Sequence, residues 1–104
     1  MRANVAAGLA EFEGRAVEAA GMLKLLANER RLRILCRLSA EREMSVGALA
    51  QAVGLGQSAL SQHLAKMREE GLVATRRDAQ TVFYRVADDN VARVLSVLKR
   101  IYCP

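Results

Sequence analysis

Apolar residues along most of this chain recur at spacings of three and four, which is the periodicity of helices with one buried face. One such stretch covers residues 14–27, and another follows Asn28, a residue type that favours the position before a helix. Residues 1–13 mix alanine, glycine and acidic residues without a clear helix start. We therefore expect a loose or partly helical arm there, followed by two helices.

Two shorter helices come next in the pattern. Ser45 suits the start of the first, and Gly54 suits the left-handed position that ends it. The second covers residues 57–70, and residues 40–44 before the pair are expected to form a charged turn. Two short helices joined by a glycine turn of three or four residues are typical of a helix-turn-helix.

The period then changes to that of strands. Residues 72–77 and 81–86 are extended in character and flank a polar turn at residues 78–80, which predicts a β-hairpin. A last helix starts at Asp88 or Asp89. Its apolar face comprises Val91, Val94, Leu95, Leu98 and Ile101. The predicted fold class is mainly α with a small β-hairpin, a winged helix-turn-helix in the order α-α-α-α-β-β-α.

Composition narrows the class of partner. The chain has 104 residues, which suits one domain, here residues 14–104 after the arm. Its 16 Lys and Arg exceed its 11 Asp and Glu, and the resulting charge of +5 and pI of 9.9 are typical of small nucleic-acid-binding domains. We expect no membrane contact because no long apolar run occurs, and a cytoplasmic location because no export signal is evident.

The helix over residues 57–70 is the candidate DNA-reading helix. Leu60, Leu64 and Met67 cluster on one side of it as core anchors. The candidate DNA contacts on the rest of the helix are Gln57, Ser58, Ser61, Gln62, His63 and Lys66. Glutamine and serine can contact base edges in the major groove. The alternative is an ordinary solvated face and, for His63, packing at a helix boundary.

Basic side chains in the hairpin extend this candidate interface. Arg76 and Arg77, together with Arg85, would enter the minor groove or bind phosphates as a wing. The alternative role for them is to protect the strand edge and keep the chain soluble. The arginines of the second predicted helix are expected to be solvated, with acidic partners among Glu29, Glu41 and Glu43.

Several segments together carry a family resemblance. They are residues 25–35 (LLANERRLRIL), 45–50 (SVGALA), 57–64 (QSALSQHL), 70–73 (EGLV) and 83–86 (FYRV). Residues 22–86 thereby resemble the ArsR/SmtB family of bacterial winged-helix repressors. The resemblance implies a homodimer joined through the first and last helices that binds an imperfect palindromic operator in double-stranded DNA. Gly56 departs from the pattern, because many members have serine as the helix cap there.

The metal sites of that family lack their ligands in this chain. Residues 45–51 contain no cysteine pair, and no histidine follows Asp88 and Asp89 in the last helix. We therefore expect neither a metal nor another cofactor. No nucleophile, base and orienting group surround the single histidine, so we expect no enzyme.

Two cysteines are left as candidate sensing residues. The placement of Cys36 and Cys103 is similar to the reactive-sulfur branch of the family, in which two cysteines form a persulfide switch. Cys36 is the expected attacking thiolate because Arg33 and Arg37 lie close along the chain, and Cys103 is the expected resolving thiol. The alternative is that Cys36 packs as a small hydrophobic residue and Cys103 is an unremarkable tail thiol.

The leading functional prediction is a repressor whose operator affinity falls when persulfide, polysulfide or an oxidant bridges the two cysteines. Whether the bridge closes within one protomer or between two stays open. One alternative is a repressor of the same fold that responds to arsenite or another soft metal. Another is an anti-repressor or chromatin-type DNA-binding protein that ignores thiol state.

Overall fold

The computed structural model describes the backbone of residues 2–104 and the side chains of residues 8–104. These residues form six helices and three strands. In chain order they are α1 (Arg2–Gly14), α2 (Ala16–Leu26), α3 (Glu29–Glu41), β1 (Met44–Ser45), α4 (Val46–Val53), α5 (Gln57–Glu69), β2 (Val73–Asp78), β3 (Thr81–Val86) and α6 (Asp89–Tyr102). Helices α4 and α5 form the helix-turn-helix and strands β2 and β3 form the wing, which confirms the predicted fold class.

Local capping explains where three of the helices begin. The side chain of Asn28 accepts a hydrogen bond from the backbone N–H of Arg31 at 3.1 Å, at the start of α3. Ser45 caps α4 and Asp88 caps α6 in the same way. Each side-chain oxygen satisfies a backbone donor that the helix itself leaves unpaired. These starts agree with the expectations from sequence.

The turn between α4 and α5 depends on a glycine. Gly54 has a φ of 70°, in the left-handed region, and its N–H donates to the carbonyl of Ala50. Residues other than glycine are strained in that conformation. Gly56 precedes α5 and supplies no side-chain cap, in line with its departure from the family pattern.

Two elements differ from the sequence expectations. The region expected to be a loose or partly helical arm forms helix α1, which ends at Gly14. The charged turn expected at residues 40–44 shrinks to residues 42–43, because α3 continues to Glu41 and Met44 already belongs to the short strand β1, where it pairs with Tyr84 of β3. A two-residue strand is too short to show an alternating pattern, and α1 lacks both an acidic first turn and a basic last turn.

The wing is a regular antiparallel hairpin within a sheet of order β1-β3-β2. Val73 pairs with Val86 at its base, and Asp78 pairs with Thr81 beside the turn at residues 79–80. Asp78 therefore belongs to a strand, and the turn is one residue shorter than expected. The hairpin extends directly from the end of α5, so the reading helix and the wing are held in one unit.

The core lies where α3, α4, α5, α6 and the base of the wing meet. The predicted anchors Leu60, Leu64 and Met67 are fully buried in it. The other core residues are Leu26, Ile34, Leu35, Leu38, Leu49, Ala50, Val53, Leu72, Val73, Val91 and Leu95. This packing fixes α5 by one side and leaves its other side free.

Large apolar side chains also stand on the surface of α1, α2 and α6. They are Leu9, Phe12, Val17, Leu23, Val97, Ile101 and Tyr102. We call this set the apolar helix surface. In the part of the chain that the structure describes, no helix has the length and apolar character to cross a membrane.

Candidate DNA interface and cysteine cavity

The side of α5 opposite its core anchors is exposed and polar. Its exposed residues include Gln57, Ser58, Ser61, Gln62 and Lys66, all predicted DNA contacts. His63 is half-buried beside them. Small and amide side chains on a projecting helix are suited to close approach to base edges.

An acidic residue at the end of α5 is turned away from this surface. Oε1 of Glu70 lies 2.8 Å from Nη2 of Arg31, and Arg31 also donates to the carbonyl of Leu25 at 3.2 Å. This ion pair offsets the Glu70 charge, so Glu70 adds no unpaired negative charge beside the polar side of α5. Arg31 thus pairs with Glu70 and not with the acidic residues near α3 that the sequence suggested.

The two adjacent arginines of the wing have different surroundings. Arg76 donates from Nε to the carboxylate of Glu43, at 3.0 and 3.1 Å, and its guanidinium stands 4.7 Å from the ring centre of Phe83. The hydrogen bonds that the Arg76 guanidinium donates to the Glu43 carboxylate lower the pKa of Glu43 and raise the pKa of Arg76. Arg76 is therefore engaged within the protein.

Arg77 and Arg85 stay available for an external partner. Both are exposed, and within residues 8–104 neither makes an ion pair. Of the two predicted DNA contacts Arg76 and Arg77, Arg77 is thus unpaired among the described residues, whereas Arg76 is paired with Glu43. The sequence suggested Glu43 as a partner of the α3 arginines, and the structure pairs it with Arg76, 33 positions away, which sequence reasoning missed. Phe83 lies directly opposite Arg76 in the hairpin register, so the predicted hairpin could have indicated this second contact.

The two cysteines line one cavity of about 850 Å³ between α3, α4 and α6. Cys36 comes from α3 and Cys103 directly follows α6, and both are exposed free thiols. The cavity is completed by Leu32, Arg33, Arg37, Ser39, Ala40, Ala52, Val53, Leu95, Ser96, Leu98, Lys99 and Tyr102. We call it the cysteine cavity. The fold therefore places in one cavity the two candidate sensing residues that the sequence singled out.

The pKa of Cys36 corrects one expectation. Burial raises this pKa, the Cys103 thiolate raises it further, and Lys99 lowers it. The expected lowering by Arg33 and Arg37 is wrong, although both line the cavity. Their closeness along the chain does not place their charges where they outweigh the lost hydration of the thiolate. The basis for making Cys36 the attacking thiolate is thereby lost.

A resident metal finds no ligand cluster in the described side chains. Among them, no group of three or more His, Cys, Asp or Glu is arranged to hold an ion. The cysteine cavity itself offers two sulfur atoms and no carboxylate or imidazole. Its chemistry is that of two thiols among cations and apolar groups.

Comparisons with known proteins bear on the whole chain. Residues 28–75 match the family described as bacterial regulatory protein, arsR family. The transcriptional activator HlyU of Vibrio cholerae is 50% identical over 95 residues, which cover 91% of this chain and 87% of that protein. The chain belongs to the arsR family. Its relatives are transcriptional regulators, which confirms the predictions of a DNA-binding regulator and of a chain that is not an enzyme.

Solved structures agree with the fold of this arsR-family chain. Reduced HlyU from Vibrio cholerae matches with a TM-score of 0.81 and 50% identity over 90% of this chain and 98% of that one. The transcriptional repressor BigR from Xylella fastidiosa matches with a TM-score of 0.81 and 42% identity over 90% and 95%. Both an activator and a repressor are thus among the relatives of the chain.

Proposed function

We propose that this arsR-family chain is a homodimeric, sequence-specific repressor whose operator affinity falls when Cys36 and Cys103 become bridged. The observation that carries the proposal is the shared cavity of the two thiols. Each thiol lies on or next to a different helix, α3 or α6. A covalent link between them therefore changes how these two helices pack.

The operator side of the proposal rests on α5 and the wing. Ser58, Ser61 and Gln62 are exposed on the side of α5 that the core does not hold, where they suit the major groove. Arg77 is free to bind phosphates or enter the minor groove. Gln57, His63 and Lys66 flank this set, and Arg76 orients the wing through Glu43.

The homodimer is supported by the apolar helix surface. Its side chains lie on α1, α2 and α6, and two of them, Val17 and Ile101, are 86% and 61% exposed. Large apolar side chains exposed together mark interaction surfaces, and the proposal takes these seven as the face that a second copy covers. A second copy related by two-fold symmetry matches an imperfect palindrome, whose half-sites repeat about one turn of DNA apart.

The bridging reaction balances with an organic persulfide, RSSH, as the oxidant. One cysteine thiolate attacks the outer sulfur, the S–S bond breaks, and the leaving RS⁻ takes up a proton to give RSH. The second cysteine then attacks the Sγ of the resulting Cys–S–SH, forms the disulfide and expels HS⁻. The net change is RSSH plus two thiols to RSH, one disulfide and H₂S, and each further RSSH lengthens the bridge by one sulfur and releases one RSH.

The consequence for DNA follows from the position of α6. This helix carries both the Cys103 end of the bridge and part of the apolar helix surface, so its movement alters the relative placement of the two reading helices. A coupling free energy of about 1–3 kcal/mol lowers affinity about 5–150-fold. We therefore expect operator binding to weaken at least about fivefold on bridging.

The test is operator binding by wild type, Cys36→Ser and Cys103→Ser, with and without an organic persulfide, alongside intact-mass analysis. Wild type should release the operator and show the mass change of an internal bridge, and a reductant should reverse both. Each variant should still bind the operator, because neither position lies on the reading side of α5. Neither variant should release it on persulfide treatment, because a bridge needs both thiols. Release of Cys36→Ser like wild type overturns the dithiol switch.

The same binding and mass measurements distinguish the other candidate functions when arsenite replaces the persulfide in a parallel experiment. An arsenic adduct together with operator release indicates a soft-metal sensor, for which two thiols per protomer are available. Operator affinity that is equal in bridged and reduced protein indicates an anti-repressor or chromatin-type protein. An inter-protomer bridge doubles the mass on non-reducing analysis, whereas a bridge within one protomer leaves it near 11.4 kDa.

A further inference from the structure

The cysteine cavity carries a positive charge that thiol chemistry alone does not require. Arg33 and Arg37 of α3 and Lys99 of α6 line it, and no Asp or Glu is among its lining residues. The ion pairs among the described side chains involve other arginines. Three cations with no carboxylate partner therefore surround the space beside the two thiols.

The size of the cavity excludes a snug fit for the smallest sulfur species. Its volume is about 850 Å³, whereas a molecule of the size of water occupies about 30 Å³ in the liquid. Hydrogen sulfide and its simplest persulfide are of that order and would leave most of the space to solvent. Cavities of about 300–1,000 Å³ are typical of sites for organic small molecules.

The apolar part of the lining suits the carbon skeleton of such a molecule. Leu32, Val53, Leu95 and Leu98 contribute to the walls, next to the hydroxyls of Ser39 and Ser96. Apolar walls with a few charged groups are the usual composition of a small-molecule site. The charged groups then decide which of several similar molecules is held.

We propose that the cysteine cavity binds a low-molecular-weight organic persulfide that carries carboxylates, and that Arg33, Arg37 and Lys99 select it over neutral and cationic persulfides. This inference rests on the dithiol switch proposed above and names the class of its inducer. Guanidinium groups bind carboxylates through paired hydrogen bonds, and an ammonium group attracts them as a point charge. A carboxylate held there keeps the outer sulfur within the space that both thiols line.

The cations act on binding and leave the balanced sulfur transfer unchanged. The outer sulfur still goes to a cavity cysteine, RSH still leaves, and H₂S is still released when the second cysteine closes the bridge. Lys99 lies near enough to the Cys36 thiol to lower its pKa. A ligand carboxylate that pairs with Lys99 is therefore close to a reacting sulfur.

The test compares glutathione persulfide, which is anionic, with cysteamine persulfide, which is cationic. The rate of Cys36–Cys103 bridging is followed by intact mass and divided by the rate of each donor with a free cysteine peptide, which removes intrinsic reactivity. Wild type should prefer the anionic donor about tenfold, equivalent to about 1.4 kcal/mol. The preference should shrink in 1 M salt, where the screening length falls to about 3 Å.

Matched variants test whether the preference for the anionic donor comes from the cations that line the cysteine cavity. Arg33→Gln, Arg37→Gln and Lys99→Gln should each reduce the ratio, and the triple variant should bring it near one. Arg30→Gln on α3 and Arg100→Gln on α6 remove exposed cations that do not line the cavity, so both should keep the wild-type ratio. Equal loss in the control variants, or an unchanged ratio in the triple variant, overturns the selectivity.

A non-reactive ligand separates this inference from the switch. S-methylglutathione should slow alkylation of Cys36 by neutral iodoacetamide in wild type, whereas S-methylcysteamine should not, and the triple variant should lose the protection. Protection without bridging by any persulfide supports the anion site and overturns the switch. Bridging by both donors at equal normalised rates, without protection, overturns the site and leaves the switch intact.

Discussion

At Cys36, burial by the cavity walls and the adjacent Cys103 thiolate raise the pKa of the thiol, while Lys99 lowers it. A raised pKa leaves less thiolate at neutral pH, so a general alkylating reagent reacts slowly there. The thiolate that does form is intrinsically a stronger nucleophile than one of low pKa. In the proposed switch, a sulfur donor held in the cavity compensates for the smaller thiolate fraction through its proximity to the thiol.

The pKa of Cys36 predicts how its alkylation depends on pH. The rate in wild type should rise with a midpoint above the ordinary thiol value, and Cys103→Ser should lower that midpoint because the repelling thiolate is gone. Lys99→Gln should raise it, and Arg100→Gln should leave it unchanged. Site-resolved mass spectrometry after iodoacetamide pulses at a series of pH values gives these midpoints. A wild-type midpoint below the ordinary value contradicts the assignment of burial as the main cause.

The same shift has a defined effect on stability. The folded chain holds the Cys36 proton more tightly than the unfolded chain, so the protonated thiol contributes to the free energy of unfolding. This contribution is fully present below the pKa of Cys36 in the unfolded chain, and it is lost as pH rises through the higher pKa of Cys36 in the folded chain. Cys36→Ser should therefore flatten the decline of the free energy of unfolding over that alkaline range.

At the scale of elements, α5 and the wing form one reading unit with separate tasks. Helix α5 is anchored by Leu60, Leu64 and Met67 and exposes a polar side. In the wing, Glu43 holds Arg76 against Phe83 and leaves Arg77 free. The helix is thereby suited to distinguish bases, and the wing to hold the duplex without regard to sequence.

Substitutions in the two elements should have different signatures. Gln62→Ala should cost about 1–3 kcal/mol of operator binding and relax the preference for one base. Arg77→Ala should weaken all sequences alike and reduce the salt slope by about one. Gln51→Ala, an exposed glutamine on α4, serves as the matched control and should keep the base preference. Operator titrations against single-base variants at several salt concentrations measure both effects, and unchanged preference in Gln62→Ala would show that α5 does not read bases there.

At the scale of the whole molecule, the apolar helix surface is the basis of the proposed homodimer. The fold buries one core, and a further set of large side chains on α1, α2 and α6 stays in water. Covering one such side chain contributes about 1.5–3 kcal/mol. In the proposed homodimer, pairing through this surface would cover these side chains and set the distance between the two α5 helices.

Light scattering of wild type should therefore give about twice the chain mass of 11.4 kDa at micromolar concentration. Phe12→Glu and Ile101→Glu should each shift the mass toward the monomer, because a buried unpaired charge is costly. Gln80→Glu, at the exposed wing turn, is the control with the same added charge and should stay dimeric. A wild type that scatters as a stable monomer would remove the dimer from the proposed function.

The amino-acid sequence by itself determined the elements whose causes are local. Asn28, Ser45 and Asp88 start helices through hydrogen bonds to residues two or three positions on, so their type and place suffice to predict them. Gly54 ends α4 by its own backbone freedom. The spacing of three and four residues identified the core anchors of α5, and the change to an extended pattern indicated the two strands of the wing.

Only the tertiary structure decided which distant residues act on one another. Glu43 and Arg76 are 33 positions apart, and their pairing depends on how β1 joins the wing. Lys99 reaches Cys36 only because α6 packs beside α3, a contact that outweighs the sequence neighbours Arg33 and Arg37. Hydrogen-bond caps act over a few residues, whereas charge and burial act through space. The cavity, its cations and the pKa of its thiol are therefore properties of the packed molecule.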